Sequence, residues 1–198
     1  MGSPSQNSIH EAGHGVEDLF RKAGVLREGH FLLTSGLHSP VYWEKFRILQ
    51  YPEYTGQLCG LIAAHFRDRQ PGVVVGPTTG GVILAFDTAR QLGTRGLFAE
   101  KQGEGRVLRR DFTISPGERV LVVDDVLTTG KSVRETLAAV RALGGDVIGI
   151  GVLVDRSQTT LDFGAELFSC LQAPAIAYAP EKCPLCASGV PLTKPGGG

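Results

Sequence analysis

Val120-Leu-Val-Val-Asp-Asp-Val-Leu-Thr-Thr-Gly-Lys-Ser132 decides how this chain is read. An apolar, strand-like run over Arg119–Val123 delivers two adjacent carboxylates, Asp124 and Asp125, at its carboxyl end. A short Thr-Thr-Gly turn follows. A helix is then expected over Lys131–Leu143, because Val133, Leu137 and Val140 recur at helical spacing. Open parallel sheets bind ligands at the carboxyl ends of their strands. The turn offers backbone N–H groups and the hydroxyls of Thr128, Thr129 and Ser132 at a helix N-terminus, which together suit an anion. Two acids beside an anion site make sense when one ligand carries both a phosphate and vicinal hydroxyls. A ribose 5-phosphate meets that description, with its phosphate in the turn and its 2- and 3-hydroxyls on the carboxylates.

Two rival phosphate motifs fit less well. Thr128-Thr-Gly-Lys-Ser132 ends like a Walker A loop, but that loop needs glycine five places before Gly130, where Asp125 stands. A carboxylate there would repel nucleotide phosphates. A dinucleotide-binding GxGxxG turn is not found, since Gly103 and Gly105 neither follow a long strand nor open a helix. The plain alternative, in which the two aspartates only cap the loop and helix, stays open.

Outward from this segment, β and α patterns alternate. Val73–Val75 is a buried-strand run, Gly76-Pro-Thr-Thr-Gly-Gly81 a loop, and Val82–Leu92 a helix with Val82, Phe86 and Ala89 on one side. Gly96–Ala99 is a further short strand, and a long polar stretch without secondary structure follows over residues 100–118. Val147–Val154 is an unbroken apolar strand suited to a position covered on both faces. Toward the N-terminus, a short helix is expected over Val16–Lys22, a turn at Gly24, strands at Phe31–Leu33 and Val41–Trp43, and a helix over 52–68 opened by Pro52. This order predicts an α/β fold: a central parallel sheet flanked by helices, with right-handed crossovers. Residues 16–198 are expected to form a single domain, with a small hood from about 16–50 over the sheet edge and a C-terminal tail at about 172–198.

Composition removes several function classes. Twenty Lys and Arg balance twenty Asp and Glu, so the basic excess that nucleic acid or an anionic membrane would demand is missing. The apolar runs are too short to span a bilayer. Four cysteines in 198 residues make no disulfide framework, which favours a reduced, cytoplasmic setting. Residues 1–15 are polar, glycine-rich and aperiodic and are expected to be disordered. They contain His10-Glu-Ala-Gly-His14, which matches a zinc signature, yet Gly13 lies inside it and no apolar face supports a helix there, so coincidence is the better reading. Cys183-Pro-Leu-Cys186 offers two of the four ligands of a structural zinc. The plain reading is a reduced tail motif, and a zinc shared between the knuckles of two subunits is the alternative. Cys59 and Cys170 are expected to be packed thiols.

Val122–Ser132 resembles the phosphoribosyl diphosphate (PRPP) signature of the type I phosphoribosyltransferases. The likeness extends to one branch, the orotate phosphoribosyltransferases, over residues 16–196. Phe31-Leu-Leu-Thr-Ser-Gly-Leu-His-Ser39 resembles that branch's N-terminal hood motif. Ala99-Glu-Lys-Gln-Gly-Glu-Gly105 with Leu108-Arg-Arg-Asp-Phe112 resembles its mobile catalytic loop, and Val154-Asp-Arg156 its base-binding strand end. Cys183–Cys186 with Lys194-Pro-Gly196 is similar to the tail of some bacterial members.

The resemblance implies transfer of phosphoribose from PRPP to orotate in pyrimidine synthesis, with Mg²⁺ held through substrate oxygens and water. It implies that Asp124 and Asp125 contact the ribose, and that Val126, Leu127, Thr128, Thr129, Gly130, Lys131 and Ser132 wrap its phosphate. Thr78, Thr79, Gly80 and Gly81 would hold the diphosphate, Lys101 would pair with it, and Thr128 and Arg156 would meet orotate. An arginine suits that last task physically, because a planar carboxylate is best met by a bidentate guanidinium; an Arg156–Asp155 pair is the plain alternative. The family also implies a homodimer whose mobile loop reaches the partner's site, and a loop of about 15 residues without structure is usually functional. Thr34 stands where the best-known members have lysine, and the loop lacks their second lysine and histidine. Arg106, Arg109 and Arg110 are the candidates to replace them. A transferase for another base, or a PRPP-sensing regulator without catalysis, are the competing functions.

Overall fold

Val73, Val74 and Val75 in β3 (Val73–Pro77) are wholly buried, and their alternation sends them into two different apolar layers. Val74 faces one layer with Leu121 and Val123, whereas Val73 and Val75 face the other with Val120 and Val122. A strand apolar on both faces must lie inside a sheet covered twice, and it does. The computed structural model describes residues 15–195 apart from 34 and 174.

Six strands form the main sheet in the order β5-β4-β3-β6-β7-β8, where β4 is Arg95–Gln102, β5 Gly105–Leu108, β6 Arg119–Leu127, β7 Asp146–Asp155 and β8 Leu167–Gln172. All neighbours are parallel except β5, which returns antiparallel along β4. A helix over residues 15–22, α1, adds Val16 and Phe20 to the first layer. That layer also takes in α2 (Phe46–Leu49), α3 (Pro52–Phe66) and α4 (Gly80–Leu92), while α5 (Lys131–Ala142) covers the second through Val133, Leu137 and Val140. From β3 the chain crosses by α4 to β4; from β6 it crosses by α5 the opposite way to β7. Opposite directions on opposite faces mean that both crossovers share one hand. They also make the carboxyl ends of β3 and β6 the point where the strand order diverges, the usual ligand crevice of such sheets.

Glycine in β7 sets how closely α3 approaches. A Cβ at Gly149 would stand 2.2 Å from Phe66 Cε1, and one at Gly151 2.4 Å from Ile62 Cγ2. Side chains there would push the helix off the sheet.

The hood is a hairpin of β1 (Leu26–Leu32) and β2 (His38–Trp43), antiparallel with a register shift between Glu28 and Phe31. The tail after β8 is mostly irregular, with one four-residue helix, α6 (Pro184–Ala187). It borders the hairpin twice, through the Phe31–Thr193 and His38–Tyr178 bridges.

Several boundaries differ from the sequence expectation. The polar stretch 100–118 is not a structureless loop: β4 runs on to Gln102, and a two-residue Gly103-Glu104 turn returns the chain into β5. Gly103 has φ 55°, which such tight hairpins require at one of their central positions. Gly15, expected in the disordered start, lies in α1, whereas the His10–His14 motif and Thr34 fall outside the described residues. Strand β8, at the sheet's edge, has no counterpart in the pattern expected from the sequence. Cys59 and Cys170 are packed thiols, and burial pushes both up to about 12. Among the described residues, no helix is long and apolar enough to cross a membrane.

Candidate active site

Strand β6 pairs with β7 as far as Leu127–Asp155, so Asp124 and Asp125 lie within the strand rather than beyond it. Their side chains are buried. The Asp125 and Val126 backbone N–H groups donate to Asp124 Oδ1 and Asp125 Oδ1 at 2.8 and 2.7 Å. Ser132 Oγ donates to Asp124 Oδ2 at 2.5 Å, and Lys45 Nζ pairs with Asp125 Oδ1 at 3.0 Å. Burial, reinforced by the charge of Asp125, raises the Asp124 carboxyl from 3.8 to about 6. Keeping two carboxylates here is electrostatically costly, which the loop-capping alternative leaves unexplained.

Because β6 extends so far, the turn proper is shorter than expected. Val126 and Leu127 remain in the strand, Leu127 with its side chain in the core; residues 128–130 form the turn, and Lys131 and Ser132 open α5 beside it. Gly130 opens α5 with φ 75°, and a Cβ on it would lie 2.9 Å from Phe163 Cζ. No other residue satisfies both demands.

The Gly76–Gly81 segment abuts this turn. A Cβ on Gly80 would lie 2.1 Å from Asp125 Oδ2, and one on Gly76 2.0 Å from Gly81 O. The glycines thus allow the β3–α4 and β6–α5 connections to touch. Thr78 and Thr79 form the tip, joined by a cis peptide. Thr78 receives bonds from Arg106 Nη1 at its carbonyl (3.3 Å) and hydroxyl (3.2 Å) oxygens.

Lys101 and Arg106 are direct partners across the β4–β5 hairpin. Both lean toward Glu135 on α5: Lys101 Nζ at 2.9 Å, Arg106 Nε at 3.4 Å, with Lys131 Nζ at 4.0 Å. With Thr128, Thr129, Gly130 and Ser132 these residues line a cleft of about 370 Å³. Of the three loop arginines, Arg106 is therefore the one brought to the turn; Arg110 pairs with Glu100 at 2.8 Å, and Arg109 is exposed.

Arg156, just past β7, is half-buried beneath the hood. Its guanidinium lies 5.4 Å from the Trp43 ring centre, and burial lowers its proton affinity. The expected alternative, a pair with Asp155, is not formed, since Asp155 Oδ1 instead accepts the Ser157 N–H at 2.9 Å. No ion pair of Arg156 occurs among the described residues, and its buried Nε has no hydrogen-bond partner. A desolvated cation without an anion is a poor structural element and a good ligand group.

Sequence reasoning missed two hood residues here. Trp43 ends β2 and Lys45 follows two residues later, but nothing local tells that Lys45 meets Asp125 and Trp43 meets Arg156. Cys183 and Cys186 lie away from this crevice, beside His30 and His38 of the hood.

Residues 47–183 match the family model of the phosphoribosyl transferase domain. The orotate phosphoribosyltransferase of Pelotomaculum thermopropionicum is 51% identical over 90% of this chain and 94% of its own length. That of Caldanaerobacter subterraneus subsp. tengcongensis is 49% identical over 91% and 95%. Among solved structures, the orotate phosphoribosyltransferase of Aeropyrum pernix superposes with a TM-score of 0.68 at 28% identity, covering 79% of this chain and 93% of that one.

Proposed function

Since the chain belongs to the orotate phosphoribosyltransferase family, we infer that it transfers the 5-phosphoribosyl group of PRPP to orotate, giving orotidine 5′-monophosphate and diphosphate in pyrimidine synthesis. One observation carries the reading for this chain's own residues. At the diverging strand ends, a hydroxyl-rich turn beside a buried acid pair lies on one side, and the unpaired Arg156 on the other.

In this reading the ribose hydroxyls bond Asp124 and Asp125, and the 5-phosphate sits on the N–H groups and hydroxyls of 128–132. The diphosphate lies against Thr78–Gly81, with Lys101 and Arg106 meeting its charge. Arg156 takes the orotate carboxylate, with Thr128 at the base's edge. As the C1–diphosphate bond breaks, C1 gains oxocarbenium character and orotate N1 attacks it. The protein supplies position and charge rather than a nucleophile.

Mg²⁺ fits as an ion that arrives with substrate. Asp124 and Asp125 form a pair rather than a cage, and Mg²⁺ typically uses one or two carboxylates together with substrate phosphates and water. Held through PRPP oxygens and water, it would neutralise charge on the departing diphosphate.

The proposal includes a cytoplasmic homodimer in which the β4–β5 hairpin serves the partner's turn once diphosphate displaces Glu135 from Lys101. Mixing Lys101→Ala chains with Asp124→Asn, Asp125→Asn chains after full subunit exchange should then restore about a quarter of parental activity, half the dimers each having one intact site. Activity that stays at the level of the two parents assigns Lys101 to its own chain. The function itself is tested with PRPP, Mg²⁺ and a panel of bases. Orotate should be consumed and adenine and hypoxanthine left; the reverse would overturn the substrate while leaving the fold.

A further inference from the structure

The tail and the hood meet at four side chains that the phosphoribosyl site does not use. His30 from β1, His38 from β2, and Cys183 and Cys186 around α6 place their ligand atoms within 4.8 Å of one another. The first three are buried. His30 Nε2 lies 3.0 Å from His38 Nδ1, 3.5 Å from Cys183 Sγ and 3.7 Å from Cys186 Sγ, and Cys186 Sγ lies 3.3 Å from His38 Nδ1. A tetrahedral ion with Zn–N near 2.0–2.1 Å and Zn–S near 2.3 Å separates its ligand atoms by about 3.3–3.8 Å. The four separations given are close to that spacing, and the other two stay within 4.8 Å.

His30 is also oriented from behind. Its Nδ1 lies 2.8 Å from the Val190 carbonyl oxygen, which can only accept, so Nδ1 carries the proton and Nε2 presents its lone pair to the cluster. Without a cation, the lone pairs of two imidazoles and two sulfurs would converge in a largely desolvated place. A single hydrogen bond between the histidines would not draw in both sulfurs.

We propose that His30 Nε2, His38 Nδ1, Cys183 Sγ and Cys186 Sγ bind one zinc ion that staples the C-terminal tail to the hood. Two thiolates and two imidazoles in a tetrahedral set suit zinc, and four protein ligands leave no open position, which makes the site structural. The need for a staple is visible in the tail itself. Among the described residues beyond β8 the only core side chain is Cys183, and the other ties to the hood are hydrogen bonds such as His38–Tyr178, Thr193–His30 and Ser39–Ile176. Small assemblies with little apolar core commonly rely on a metal. All four ligands come from one chain, so the ion is not shared between subunits.

The full-length protein, purified from zinc-replete cells without chelator, should contain one zinc per chain by elemental analysis. Exchange with Co²⁺ should produce the intense visible bands of tetrahedral cobalt and a thiolate charge-transfer band. X-ray absorption at the zinc edge should resolve two sulfur and two nitrogen neighbours. Cys183→Ser with Cys186→Ser should lose the metal and still be thermally stabilised by PRPP. The absorption measurement needs no variant, so a poorly folding variant leaves the proposal testable. Near-zero zinc with no cobalt uptake would overturn it, as would half a zinc per chain, full zinc in the cysteine variant, or a zinc edge without sulfur.

Discussion

At the carboxyl end of β6, the acid pair and the phosphate turn lie together between Asp124 and Ser132, on a strand whose core positions are wholly buried. The hood is held differently. Ser39 bonds Ile176 O from 137 residues away, and His30 bonds Val190 O from 160 away. The first region is a continuous segment braced by two apolar layers, so its geometry follows from the sheet. The second is a hairpin with few core contacts, positioned by polar ties to a distant tail. PRPP should therefore depend mainly on the sheet, which the hood meets there through Lys45 on Asp125, while the base side, where Trp43 descends from the hood onto Arg156, should depend on both.

The strongest way to break this division is at the acid pair. Asp124→Asn with Asp125→Asn should abolish PRPP binding and leave the fold intact. In a thermal-shift experiment, PRPP at a hundredfold excess over its Kd should stabilise the parent by about 2.7 kcal/mol and the variant not at all. Equal stabilisation would return the aspartates to a capping role. Asp124 also has a pH signature. Its folded value of about 6 exceeds the ordinary 3.8, so between these values the folded chain keeps a proton that the unfolded chain has released. Stability should thus fall as pH rises from 4 to 6 and level off above. Asp124→Asn should remove that fall, leaving the ligand-free variant more stable than the parent at pH 7 by up to about 3 kcal/mol in urea titrations. It should match the parent below pH 4, where both carry a neutral side chain.

Next in size is the base side. Arg156→Ala should cost about 2–5 kcal/mol, raising the KM for orotate about thirtyfold or more while leaving that for PRPP nearly unchanged. Trp43→Ala removes the ring over that guanidinium, together with its edge-on contact to Phe20, and should cost about 0.5–2 kcal/mol in orotate KM. If either substitution weakened PRPP as much as orotate, hood and sheet would not be separable in the way described here.

The smallest effect is expected at Glu135, which gathers Lys101, Arg106 and Lys131 in the ligand-free chain. Glu135→Gln should free those cations and tighten PRPP binding by no more than about fivefold, since Lys101 is half exposed and such pairs are worth at most about 1 kcal/mol. The gain should fade with added salt. A large loss of affinity would instead make Glu135 a ligand-holding group.

Much of this was legible before any coordinates. The strand of β6, the two aspartates, the Gly130 turn and α5 are coded by neighbours a few residues apart, where period and turn chemistry are strongest. The β4–β5 hairpin was not, because near the reversal its arms are polar, β5 is only four residues long, and no apolar alternation marks the pairing. Arg106 was one of three equivalent arginines until its register opposite Lys101 aimed it at Thr78 and Glu135.

The alternating α/β order, the acid pair with its phosphate turn, and the candidate arginine for the base can be read from the chain alone, because each lies in a short stretch enforced by burial of its own strand or helix. Long-range packing sets the rest: Asp155 leaves Arg156 unpaired, Lys45 reaches Asp125, and two histidines of the hood meet two cysteines of the tail. Those encounters join residues as much as 156 positions apart. Their partners are chosen by how the sheet, hood and tail pack, and no local period or spacing records that choice.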